Sequence, residues 1–291
     1  MKTCLFFGFV LLLAACNQQQ PAQNQDAATV SEPDSIQEQP APPPVPSVGM
    51  FTGEFLAVDY DEKKDISYSN RITIAIESLE NGVVKGYSIV AGNSRPFEGT
   101  YKEEEEVLLV TAREPGDDKY DGVFTFKMHH NSKTIPGTWE AYNPKIGVSK
   151  REFNLEKRVF KYDPNLEMPE EGITGMDLYN TFRESEGDPG SAEFLTEDAI
   201  KFNASKTQLR KKDVENMHKG DLEVIRNAIY ARHGYSFKNR RMRYLFDRSV
   251  DWYMPVSTNV SQQFTALERK NIDLLKRYEQ HAASYYDSFG R

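Results

Sequence analysis

One stretch limits the possible folds more than any other. Between residues 50 and 161 the chain carries about eight short runs of β-branched and aromatic residues, around Phe51, Ile74, Val84, Phe97, Leu108, Phe124, Trp139 and Phe153. Turn residues separate them at fairly regular spacing, with no helical period between. Ile72, Ile74 and Ile76 alternate with Arg71, Thr73 and Ala75, the pattern of a half-buried strand. Asn81-Gly82 follows closely and marks a tight hairpin. Successive strands joined by short turns predict an antiparallel meander, and closing it into a small barrel removes exposed edges. Glycine recurs two residues before an aromatic, at Gly53, Gly99, Gly122 and Gly137, where it would let a strand bend.

The C-terminal third changes period. Leu222, Ile225, Ile229 and Tyr230 fall on one helical face. Asp221 is the expected N-cap, and Gly234 is the expected left-handed C′ residue. Tyr235 would then be C″ and meet Tyr230 at C3, with Arg232 and His233 in the last turn, facing the negative end of the dipole. A short helix is predicted over residues 240–247, with Met242, Leu245 and Phe246 on its apolar side. Thr265 and Glu268 have capping-box spacing ahead of a final helix carrying Leu267, Ile272, Leu275 and Tyr278. The fold class expected is α+β with two segregated domains, an N-terminal antiparallel β-barrel-like domain followed by a small helical module.

Arg226-Asn227, Ile229-Tyr230-Ala231-Arg232-His233-Gly234, Phe237, Phe246, Trp252-Tyr253, Pro255, Leu267-Glu268, Asn271-Ile272 and Glu279 resemble the YARHG domain, across residues 195–280. Ala228 stands where that family often has Glu. The resemblance implies a small helical fold in an extracytoplasmic protein, and it carries over no catalytic residue. The β region is weakly similar to avidin and lipocalin barrels.

At the N-terminus, Lys2 precedes an apolar run over residues 5–15, too short for a membrane span and suited to a signal peptide. It ends Leu13-Ala14-Ala15-Cys16, which resembles a bacterial lipobox and implies lipidation at Cys16, with palmitate among the acyl groups. Asn17 and the glutamines after it, by resemblance to Gram-negative lipoproteins, imply an outer-membrane protein facing the periplasm. The mature chain would keep no second cysteine, since Cys4 leaves with the signal, so no disulfide is expected. Residues 16–48 are rich in Gln, Pro and acid and read as a disordered tether. The expected divisions are a signal at 1–15, the tether at 16–48, the barrel at 49–162, a linker at 163–194, the helical module at 195–282 and a tail at 283–291. One short helix is expected over residues 176–184.

Charge is unevenly distributed. Residues 201–291 hold 18 Lys+Arg against 10 Asp+Glu, whereas the rest of the chain is net −16. Such a module can meet an anionic partner such as peptidoglycan, or it can attract its own acidic domain. The chemistry-bearing inventory is thin. His129, His130, His218, His233 and His281 lack zinc spacing, and Asp117, Asp118 and Asp121 read as a hairpin turn rather than a calcium loop. Glu103 to Glu106 read as a solvated turn. No nucleophile elbow or phosphate loop is present, so no catalytic residue, metal or cofactor is expected. A hydrolase is the least favoured class, and nucleic acid is not an expected partner.

The candidate binding residues are Arg232, His233, Trp252 and Tyr253, with Arg240 and Arg243 as a basic face. Arg232 could grip a carboxylate with Trp252 or Tyr253 stacking on a sugar, or it could pair internally with Asp251 or Glu268 while His233 caps carbonyls. The leading expectation is a non-enzymatic envelope binding or scaffold lipoprotein, inserted in the bilayer by its acyl anchor and docking peptidoglycan or another anionic component. The alternative is a carrier with a small apolar ligand in the barrel, which requires a ligand-sized cavity lined by barrel aromatics.

Overall fold

The computed structural model describes residues 48–178 and 194–285. The expected signal peptide, Cys16, nearly all of the tether, most of the 176–184 helix and the end of the tail lie outside the described residues.

Eight antiparallel strands form a closed barrel in chain order: β1 (Gly49–Tyr60), β2 (Ser69–Glu80), β3 (Val83–Val90), β4 (Asn93–Glu104), β5 (Val107–Arg113), β6 (Gly122–His129), β7 (Thr134–Ala141) and β8 (Val148–Arg158). β1 pairs with β8, from Met50↔Arg158 to Tyr60↔Val148, and this closes the sheet. Asn81-Gly82 is the tight turn the sequence predicts, with both residues at positive φ. Glu105-Glu106 and Ala91-Gly92 make the same kind of turn. Glu105 and Glu106 belong to the run read as a solvated turn. Gly99 and Gly137 do lie where the sheet is crowded: a Cβ on Gly99 would sit 1.9 Å from Thr111 O, and one on Gly137 would sit 2.6 Å from Phe126 Cβ.

The two ends of the barrel differ. One is closed by the tight turns after β2 and β4. The other carries the longer connections 61–68, 114–121 and 142–147, and these open into a mouth. Inward residues fill the closed half, among them Phe51, Ile74, Leu108, Val110, Phe126 and Leu155.

The helical module contains α1 (Asp198–Lys201), α2 (Lys211–Val214), α3 (Lys219–Arg232), α4 (Arg240–Ser249) and α5 (Ala266–Tyr285). α3 stops as its sequence predicts. Gly234 has φ +72°, Tyr235 N–H donates to Tyr230 O at 3.1 Å, and Gly234 N–H donates to Ala231 O at 2.9 Å. The Tyr230 and Tyr235 rings meet edge to face at 5.7 Å. α3 starts earlier than its sequence predicts. His218 is the N-cap, and Asp221 lies inside the first turn, where its carboxylate accepts from Thr196 N (2.9 Å) and Thr196 Oγ1 (2.7 Å). Asp221 therefore ties the segment before α1 to α3 instead of capping the helix. The capping box at Thr265 and Glu268 is formed in both directions.

Two apolar clusters hold the module. One gathers Val224, Ala228, Leu245, Phe246 and Tyr253; the other joins α3 to α5 through Leu222, Ile229, Ile272 and Leu275. Met168, Ile173 and Leu178 are buried in the first cluster. The described part of the segment read as a linker is thus packed into the module's core.

The module lies against the barrel along β2 and reaches the mouth. β3 stops pairing with β2 at Ile72↔Val90, so Arg71 N–H has no ladder partner on that side, and it donates to Asp247 Oδ2 at 2.9 Å. The Arg71 guanidinium donates to Val250 O (2.9 Å) and Tyr253 O (2.7 Å), and Arg158 reaches Asp251 O at 2.9 Å. Gly92 N–H, in the β3–β4 turn, donates to Ser236 Oγ at 2.9 Å. Docking on β2 explains why Thr73 and Ala75, on the outward face, are buried as fully as Ile72 and Ile74.

Candidate ligand-binding site

The mouth holds a cavity of about 510 Å³. Phe55, Phe124 and Trp139 line its inner wall, and Arg151, Arg240 and Arg243 line its cationic side. The volume lies within the usual range for small-molecule sites, and an apolar wall with few polar groups is their usual lining. Phe55 stands at the junction, with its ring 5.9 Å from Trp139 and 6.3 Å from Phe124.

Strand period puts the polar groups there. β8 alternates Arg151, Phe153 and Leu155 inward, so Arg151 occupies a core position and is only 8% exposed. Its guanidinium donates to Phe55 O (2.8 Å), Ser67 O (2.9 Å) and Tyr68 O (3.3 Å), all backbone carbonyls. The cation stacks over the Phe55 ring at 5.2 Å. Burial, together with the charge of Arg243, pulls Arg151 down to about 10. On the neighbouring face Leu108, Val110 and Ala112 lead to the buried Glu114. Glu114 accepts from Ser88 Oγ (3.0 Å), Gly122 N–H (2.9 Å) and Trp139 Nε1–H (3.0 Å). Burial raises its pKa although all three donors oppose the shift.

α4 supplies the rest. Asn239 caps it, accepting from Arg241 N–H at 2.9 Å, and this aims the first turn at the rim. Arg240 is held by Asp65 and by Ile66 O. Arg243, one turn on, donates to Lys238 O at 3.2 Å, and its buried Nε has no partner. Burial is the main cause that lowers the Arg243 pKa. Arg95 is already matched, with both Asp121 oxygens and Asp117 within 2.8 Å. Asp121 also accepts from Gly116 N–H and Asp118 N–H, so the acidic turn is organised around Arg95. Among the described residues no carboxylate forms an ion pair with Arg151 or Arg243. Among the described residues no group of three or more His, Cys, Asp and Glu side chains could hold a metal.

The other candidate residues lie inside the module. Arg232 is 1% exposed, donates to Leu166 O (2.8 Å) and Ser205 Oγ (3.4 Å), and stacks over Trp252 at 5.7 Å. Neither Asp251 nor Glu268 is its hydrogen-bond partner. Glu268 goes instead to His233, with Nε2 and Oε2 2.9 Å apart, and to Tyr162, whose hydroxyl donates at 3.0 Å. The Tyr162 ring stacks on His233 at 4.2 Å. Burial would raise Glu268, but the bonds from His233 and Thr265 overcome it and bring it down to about 2. Tyr253 is buried with its hydroxyl on Tyr235 O (2.7 Å), and Trp252 donates to Glu167 O (2.7 Å). Arg226 forks onto Glu279 at 2.6 and 2.9 Å, and Asn271 bridges Leu209 N–H to Ala204 O and Thr207 O. These signature residues bond to one another, to backbone, or to the side chains of Tyr162 and Ser205.

Sequence reasoning had Arg240 and Arg243 but not the mouth they line. Arg151 and Glu114 did leave a signal, since each is a charge at the next inward position of an apolar alternation. Arg71 and Asp65 left none.

No curated protein matches the chain. Residues 198–280, the helical module, match the family model of the YARHG domain.

Proposed function

We propose that this chain is a membrane-anchored envelope lipoprotein that works as a non-enzymatic binding protein, with its ligand seat at the barrel mouth. The observation that carries the reading is the cavity walled by Phe55, Phe124 and Trp139 and roofed by α4. The envelope placement rests on Leu13-Ala14-Ala15-Cys16 and the Pro- and Gln-rich stretch after it. Docking of peptidoglycan through Arg232, His233 and Tyr253 would require the module to open, because all three are buried. Arg240 and Arg243 line the mouth, and Arg240 is already held by Asp65 and Ile66 O. The binding function is therefore assigned to the barrel.

The test uses neutral aminoanthracene as a fluorescent probe. Saturable enhancement at one site, lost when Ile146→Trp fills the cavity, is the expected result. No saturable binding, or binding indifferent to Ile146→Trp, overturns the reading. Membrane release and loss of palmitate labelling in Cys16→Ser test the anchor.

A further inference from the structure

The geometry points to an organic anion as the ligand class: a carboxylate on a compact apolar body, its charge held between Arg151 of β8 and Arg243 of α4. The inference rests on the proposed seat at the mouth and names what occupies it.

Charge is not balanced within the cavity. Four arginines and four acids line the cavity. Arg95 is matched by Asp121, and Arg240 by Asp65. Of the remaining acids, Asp118 is exposed on its turn, with a carboxylate oxygen on Tyr120 N–H. Glu114 is turned toward Ser88, Trp139 and Gly122, and burial favours its neutral form. Asp247, one turn along α4, attracts Arg243 but forms no ion pair with it, and burial favours its neutral form. Arg151 and Arg243 are left as two cations near enough to repel each other, one on backbone carbonyls and the Phe55 ring, the other with a buried Nε unbonded. Burying like charges without a counter-ion is costly, and one of the few groups that removes the cost is an anion placed between them. A guanidinium offers paired N–H donors that fit a carboxylate. Just beneath, the Phe55, Phe124 and Trp139 rings offer apolar surface and no acceptor for a second charge. The seat therefore favours a small amphipathic anion over a cation. Because Arg243 belongs to the YARHG domain, the barrel alone presents only half of the charge site.

The probes are naphthoate and its neutral counterpart naphthylmethanol, titrated calorimetrically into the full chain. Naphthoate should bind at least about tenfold more tightly. Arg243→Met should erase that preference by weakening naphthoate far more than naphthylmethanol, and Arg243→Lys, which keeps the charge, should retain part of it. Equal binding of both probes to the unaltered protein would overturn the anion assignment and leave the mouth standing as an apolar seat. Failure of both probes would overturn the seat itself. A preference for naphthoate that survives Arg243→Met would overturn the role of the helical module.

Discussion

Asp247 sits where the two domains meet, and its removal gives the sharpest test of how they are joined. The carboxylate is buried, accepts Arg71 N–H, and lies near the charges of Arg71 and Arg243. Burial pushes it up to about 7, against those partners. An acid raised in the folded state binds its proton more tightly there than in the unfolded chain. Folding is therefore favoured at low pH, and stability falls as pH rises from about 4 to about 7. A shift of about 3 units at about 1.4 kcal/mol each gives a cost of about 4 kcal/mol at alkaline pH. Asp247→Asn keeps an acceptor for Arg71 N–H and carries no charge. The variant should match the parent near pH ~5 within about 1–2 kcal/mol and exceed it by about 4 kcal/mol near pH ~8. Urea unfolding at both pH values measures the gap directly. Parallel pH dependences for the two proteins would refute the reasoning, because they would mean the carboxylate is stabilised as an anion by Arg71 and Arg243.

Glu268→Gln tests the opposite sign. Its pKa is brought down to about 2, so its contribution of about 3 kcal/mol is fully present above pH ~4.5 and is lost as pH falls toward about 2. The variant should be markedly weaker at neutral pH and close to the parent in strong acid, read by thermal melts across pH. Gly234→Ala places a Cβ 2.3 Å from Val256 and 2.8 Å from Phe160 in a left-handed residue, at a cost of about 3 kcal/mol. The melting temperature should drop by about 6–12 °C. Arg71→Met strips the donor from Val250 O and Tyr253 O, with an expected loss of about 2–3 kcal/mol and faster amide exchange in α4 by hydrogen-exchange mass spectrometry.

What the sequence revealed followed the range of the interactions involved. The end of α3 was legible because a left-handed helix stop is decided within the six residues from Tyr230 to Tyr235. The barrel was legible because a meander pairs each strand with its chain neighbour, so period and turn residues suffice for seven of the eight pairings, the exception being β1 with β8. The mouth was not, since it joins Phe55 to Arg243 across the chain. Arg232 and His233 look like surface cations at a helix end. Their burial depends on Leu166, Tyr162 and Glu268, none of which is near them in sequence. Arg71 sits between strand residues as any outward polar side chain would, and only the arrival of α4 makes it a clamp.

That arrival has a consequence for how the protein is made. β2 is among the first strands to leave the ribosome, and the helix that covers its outer face is encoded some 160 residues later. The barrel can close when β8 emerges, yet Thr73, Ala75 and the unpaired Arg71 N–H stay uncovered until α4 follows. A chain cut between the domains would remain in that half-finished condition, with an open stretch of strand inviting the wrong neighbour.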